Sequence, residues 1–292
     1  MHGRGRKRHR ITPTLVCRTI GEKRSLVHQV PPSGLSLSGV RKRFGRALTW
    51  WIAQTPPPAV PPGRLVLLLD AVWCTFAHRK WTLYLMAFKP VDEAKAYFVD
   101  PILLPGRESA HAWRQVLSTL PPDVACRIEA VVTDGFRGSH TLARHRGWVH
   151  QRCHFHLIAQ LQGRRGQYTR LPTAPVREAI YQAARRALVT RSPRQLTRRC
   201  RELAASAQQA DCPTRVRMIA RDFLRHLGAF RAYQSYPQLH LPTTTNVVES
   251  MVRRLRDRVR SLRTPASLHR WAVATIRLHP ILTCNGHENQ PD

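Results

Sequence analysis

The chain is poor in acid: 17 Asp and Glu stand against 48 Lys and Arg over 292 residues, a formal charge of +31. That excess goes beyond what solubility requires and points to a polyanionic partner. Lysine is scarce as well, supplying six of the 48 cations. Arginine suits two-donor contact with phosphate, but codon bias favours it too, so the preference decides nothing alone. Paired cysteines are missing. The seven, from Cys17 to Cys284, show no Cys-x-x-Cys pair and no disulfide-scaffold spacing, which fits reduced thiols in a cytosolic protein. No apolar run approaches the ~20 residues of a membrane span, and no apolar stretch with a cleavage site follows the basic start. The expectation is a cytoplasmic protein without a membrane segment. With 42% hydrophobic residues the chain can still fill a core, which argues against disorder.

Charge is unevenly spread. Residues 1–64 carry +12, 65–160 carry +3, 161–242 carry +12 and 243–292 carry +4. The proline-rich stretch from Thr55 to Gly63 reads as a stiff extended linker and marks a boundary. Before it, the first 30 residues look irregular. A Ser-capped amphipathic helix follows, with Val40, Phe44, Ala47, Leu48, Trp51 and Ile52 on one side and Arg41, Lys42, Arg43 and Arg46 beside them. It reads either as a DNA-contacting helix or as a basic linker helix.

After the linker, 64–73, 81–88 and 96–104 read as strands of an antiparallel meander. A helix over 108–120, a strand over 126–134, a short helix and a strand through "WVHQRCHFHL" complete an α/β pattern with a mixed sheet. From about 157 to 236 the pattern is helical, amphipathic and strongly basic.

Three carboxylates stand where elements end or begin. Asp70 closes "LVLLLD", Asp134 closes "AVVTD", and Glu249 lies near the start of "TTTNVVESMVRRLRDRVRSL". Strand ends are where α/β sheets gather ligands. Each acid has a plain structural explanation: Asp70 closing a strand, Asp134-Gly135 as a turn, and Asn246 with Glu249 as a capping box. Together they point further. Three converging carboxylates repel by about 4 kcal/mol per pair at ~4 Å and an effective dielectric of ~20, and so call for divalent cations. Paired Mg²⁺ ions held by oxygen would serve phosphodiester cleavage and strand transfer.

As an ordered set, "LLLDAVW", "VVTDGFRG", "QRCHFHLI" and "TTTNVVESMVRRLR" resemble the Mutator-like DDE transposases of bacterial and archaeal insertion sequences, from about Arg64 to Gly286. The resemblance implies a ribonuclease-H-like mixed sheet with flanking helices and a helical insertion before the last catalytic helix. It implies catalytic, metal-binding roles for Asp70, Asp134 and Glu249, with two Mg²⁺ or Mn²⁺ ions. It also implies double-stranded DNA partners (element ends and target), a homo-oligomer in the synaptic complex and a nucleoid-associated location. The domains expected are a basic N-terminal region (1–63), a first core part (64–156), a basic helical insertion (157–242) and the final core helices (243–292). Relatives often begin with a zinc ribbon and a helix-turn-helix. Here the first 60 residues hold one cysteine and one recognisable helix, so a shortened or rewritten N-terminus is expected.

Cys153 and His156 form the Cys-x-x-His of that set. Zinc wants four ligands, only His150 and His154 lie close by, and alternating positions on a strand cannot all face one ion. Packing or a role beside the active site is the better reading, and Asn246 is placed there too. After Glu249, the residues Val248, Val252, Leu255, Val259 and Leu262 form a buried stripe. Arg253, Arg256 and Arg260 follow Glu249 one residue out of step with it, a phosphate-contacting flank beside an acid. A solvated basic face explains these arginines equally well. The competing readings are an inert, transposase-derived DNA-binding protein and a basic RNA-binding protein. The second of these has no use for an acidic trio.

Overall fold

The computed structural model describes residues 13–21, 26, 36–166, 168, 170–259 and 262–284. Its centre is a hairpin of two twelve-residue strands, β1 (Leu65–Phe76) and β2 (Arg79–Pro90). Both run further than the alternation of the sequence suggests. The turn between them uses Ala77 and His78, both at positive φ (46° and 63°), in place of the Asn-Gly type of pair that advertises such a turn. Along the far side of β2 lie β3 (Lys95–Phe98) and β4 (Ile102–Pro105). The single strand expected over 96–104 is thus broken in two. Pairing of Ala87 with Phe98 but of Tyr84 with Ile102 shows one extra residue between them. Pro101 has no N–H for the ladder, and Asp100 is drawn out to Arg277.

On the other side of β1, β5 (Ile128–Thr133) and then β6 (Val149–Arg152) add in parallel. With β7 (Ile281–Thr283) on β3, the sheet order is β6-β5-β1-β2-β3-β7, and β4 shares β2 with β3. An antiparallel meander continued by parallel strands, with helices on both faces, is compatible with a ribonuclease-H-like arrangement. Alternation along β1 sorts the two faces. Leu65, Leu67 and Leu69 pack with Trp113 and Val116 of α3 (Ala110–Leu117) and Leu142 of α4 (Ser139–Arg146). On the opposite face, Val66 and Leu68 join a cluster with residues of two late helices, Val248, Val252, Ala272 and Ile276.

Between β6 and those late helices the chain forms α5 (His154–Gly166), α6 (Ala174–Val189), α7 (Pro193–Gln208) and α8 (Thr214–Arg225). They enclose their own core, which includes Leu161, Ile180, Leu203 and Phe223. The late helices are α9 (Asn246–Val259) and α10 (Pro265–Leu278). Two N-terminal helices, α1 (Pro13–Gly21) and α2 (Leu37–Gln54), pack on α10, where Phe44 stacks on Trp271 with centroids 5.3 Å apart. The first of these corrects the irregular reading of that segment: Val16 and Ile20 find apolar partners that come from distant sequence. Ser36 caps α2 as expected, its hydroxyl accepting from Gly39 N at 3.2 Å.

Candidate active site

Asp70 lies midway along β1, beside the parallel strand β5 whose end delivers Asp134. One Asp70 carboxylate oxygen accepts from Ala71 N at 2.8 Å. Burial and then the charge of Asp134 push its carboxyl up to about 6, against the pull of His156 and the Ala71 bond; Glu249 adds to the rise. Asp134 starts a loop in which it accepts from Phe136 N at 2.9 Å, the Asx-type turn its Asp-Gly pair suggests. Gly135 has φ of +89°, and a Cβ there would run into the Arg152 guanidinium, so glycine is required on two counts.

Glu249 stands in the first turn of α9. The expected capping box does not form around it. The helix begins at Asn246 itself, so the preceding residue, Thr245, occupies the capping position, and its hydroxyl turns instead to Cys153 Sγ at 3.4 Å. Asn246 is exposed on the outside of this turn. Glu249 faces His156, whose Nε2 is 3.4 Å from Glu249 Oε1 without hydrogen-bond geometry. Among the described residues that buried oxygen has no hydrogen-bond partner. Burial raises the Glu249 carboxyl above its usual range, opposed by His156, Arg256 and Arg253.

The strand expected through "WVHQRCHFHL" stops at Arg152, and α5 starts at His154. The break comes where side-chain and backbone bonds leave the ladder. Cys153 N donates to Thr133 O at 2.8 Å, and His154 N donates to Thr243 O at 2.8 Å. Fully buried Cys153 accepts from Thr245 N at 3.3 Å, which ties the start of α9 to the start of α5. His156, in the first turn of α5, is thereby held against Glu249. Burial lowers the affinity of His156 for a proton, but the adjacent Cys153 thiol, then Asp134 and Asp70, outweigh this and raise it to about 9. Protonated His156 is a fixed cation within the acid cluster.

A fourth acid sits here that the sequence pattern does not single out. Glu108 precedes α3 and accepts from Trp113 Nε1 at 2.7 Å. Burial first, then Asp134, lift it to about 7, with Asp70 adding and the Trp113 bond and His156 opposing. The available signal was an acid just outside the Ser109 cap, with a tryptophan five residues on.

Arg253 and Arg256 are exposed on α9, their charges reaching Glu249. Arg260 lies outside the described residues. Arg41 and Lys42 are exposed and Arg43 half-buried on α2, which docks on α10 through Phe44 and Leu48. Among the described residues no three His, Cys, Asp or Glu side chains stand in metal-ligating geometry. The chemistry of the donor set nonetheless suits a hard cation: oxygen ligands, one of them buried and without a hydrogen bond among the described residues, with carboxyls that resist ionisation when no cation is present.

The fold and site thus define a mixed α/β protein with half-buried acids on β1, after β5 and at the start of α9, an arrangement compatible with a ribonuclease-H-like domain. Within it, residues 102–277 match the family described as "Transposase, Mutator family", and over more than half its length the chain thus belongs to that family. Asp134 and Glu249 fall inside the match, whereas Asp70 precedes it. Among curated proteins none matches the chain. The protein is a transposase, of a family that cuts and joins DNA. No helix among the described residues is long and apolar enough to cross a membrane.

Proposed function

We propose that Asp70, Asp134 and Glu249 are the metal-binding acids of a DDE transposase that cleaves double-stranded DNA at insertion-sequence ends and joins it to a target. The observation that carries this is the electrostatic coupling of three acids spaced 64 and 115 residues apart in sequence, one of them with a buried oxygen that faces His156 but accepts no hydrogen bond among the described residues. When bound, a pair of Mg²⁺ or Mn²⁺ ions would supply Lewis-acid activation of a water or 3′-hydroxyl and stabilise the leaving oxygen. The chain's own residues prepare for this. Burial and like-charge repulsion keep Asp70 reluctant to ionise until a cation relieves it. His156 holds the Glu249 carboxylate in place, and Cys153 holds the turn that carries His156. Arg253 and Arg256 flank Glu249 where the DNA backbone would pass, and the two basic regions supply nonspecific attraction. A homo-oligomer that synapses two ends, and residence on the nucleoid in the cytoplasm, belong to the same reading.

The test uses a plasmid bearing candidate element ends with Mg²⁺. Asp134→Asn keeps side-chain volume and removes the charge that holds a cation, so nicking collapses while binding of labelled duplex persists. Nicking that survives in Asp134→Asn removes this residue from the chemistry. Absence of nicking in both proteins, with duplex binding intact, favours the inert DNA-binding reading. A second readout needs no activity: Mn²⁺ raises the melting temperature of the wild type and not of Glu249→Gln.

A further inference from the structure

A second polar cavity opens on the far side of the loop that leaves Asp134, and none of the three proposed metal-binding acids lines it. Its volume is about 300 Å³. One wall is the loop from Gly135 to Gly138 with the N-terminus of the eight-residue helix α4, whose cap residue, Gly138, offers no side chain. First-turn N–H groups there lack a side-chain acceptor, and the helix end favours negative charge. The opposite wall is β6, where His150 and Arg152, two residues apart, turn to the same side. Asp222 and His226 of the α8 segment close the third side.

The buried side chains are incompletely satisfied. His150 is 7% exposed and Arg152 9% exposed, yet His150 Nδ1 and Arg152 Nε have no hydrogen-bond partner among the described residues. His150 Nε2 lies 3.0 Å from Thr133 Oγ1, and that hydroxyl already accepts from Gly135 N. Among the described residues Nε2 is the one acceptor that the Thr133 hydroxyl proton meets, and with that proton on Nε2 the Nδ1 of the neutral ring is a donor. Two buried donors thus remain without a partner beside one cavity, a costly arrangement unless an acceptor meets them. The cations around them are Arg152 and Arg137, and the imidazoles of His140 and His226 add polar ring nitrogens, with burial and Arg152 holding His226 toward its neutral form. The one acid is Asp222, half-exposed, which takes Arg152 Nη1 at 2.8 Å and lies 3.6 Å from His226 Nε2. Arg152 also lies over the Phe230 ring at 4.6 Å, so its guanidinium is held rather than free to swing.

We propose that this cavity is a phosphate-binding site that takes a backbone phosphodiester of the DNA strand adjoining the one being cut open at the acid cluster. The inference rests on the transposase reading and deepens it. The chemistry required is an anion with several acceptor oxygens, able to meet His150 Nδ1, Arg152 Nε and the α4 N-terminus together. Because Gly135 follows Asp134 directly, a phosphate held here registers the strand against the acids without itself reacting.

The experiment is done in EDTA, so that failure of metal chemistry cannot imitate failure of the site. Affinity for a fluorescent duplex is measured against salt for the wild type, for Arg152→Gln and for His140→Glu. His140 is exposed, so its replacement leaves the fold intact and guards against a loss of folding in Arg152→Gln. The expected result is a log–log slope flatter by about 0.9 in each variant. Duplexes with single methylphosphonates then show one position that weakens the wild type about tenfold and leaves His140→Glu unaffected. In parallel, ³¹P line broadening of inorganic phosphate is compared between wild type and His140→Glu. Free phosphate bound by the wild type alone, with an unchanged duplex slope, overturns the DNA assignment in favour of a free-anion site. No broadening and no slope change overturns the site itself, while nicking by the Mg²⁺-loaded wild type would stand untouched. Loss of duplex binding in the wild type overturns both readings.

Discussion

At the scale of single residues, the Asp70 carboxyl offers a direct test of the charge crowding at the site. Its folded pKa of about 6 exceeds the ordinary 3.8, so the fold binds this proton more tightly than the unfolded chain does. Stability from this source is present below pH 3.8 and is lost as pH rises through 6. Asp70→Asn should therefore stabilise the metal-free protein at pH 8, by up to about 3 kcal/mol, and change little near pH 4, as read from urea midpoints at the two pH values. Equal effects at both pH values would mean that Asp70 does not feel its neighbours. Arg277 works in the opposite sense, as a satisfied ion: it pairs with Asp100 through two nitrogens and donates to the carbonyls of Ile52 and Thr55. Lysine cannot reproduce that fork. Arg277→Lys should cost about 2–4 kcal/mol in urea denaturation, since it leaves buried acceptors unmet.

At the scale of elements, the β5–α4 loop is the connection on which most depends. Gly135 is left-handed and pressed against an Arg152 guanidinium that Asp222 and Phe230 hold in place. Gly135→Ala combines a disfavoured φ with a clash, and about 1–3 kcal/mol of stability should be lost in thermal or urea melts. The same substitution should weaken duplex binding, because Arg152 has to move. A substitution without effect on either measurement would show that the loop relaxes freely. Element boundaries were hardest to read where partners were remote. The strand through residues 149–152 passes into α5 because Cys153 and His154 bond to Thr133 and to Thr243, neither of them a neighbour in sequence. The break between β3 and β4 depends likewise on Asp100 meeting Arg277.

For the whole molecule, the controlling quantity is the +31 charge and its placement on two flanks around a nearly balanced core. Counterion release should make DNA affinity fall steeply with salt. Replacing Arg253, Arg256 and Arg260 with Gln should flatten that slope by about 0.9 for each phosphate that is no longer neutralised, measured by fluorescence anisotropy across a salt series. An unchanged slope assigns these side chains to a solvated face.

The sequence by itself determined the hydrophobic periods of β1, β2, β5, α2 and α9, and with them the mixed α/β sheet, because these patterns are local and each element's buried stripe is written within it. It also marked Asp70, Asp134 and Glu249, since an acid at the end of an apolar run stands out without any partner in view. Only the tertiary structure decided what those acids face. His156 against Glu249, Glu108 beside Asp134, and the unmet donors of His150 and Arg152 around one cavity all join residues from different elements. Charge coupling and buried hydrogen bonding depend on distance in space, and the chain states only distance along itself.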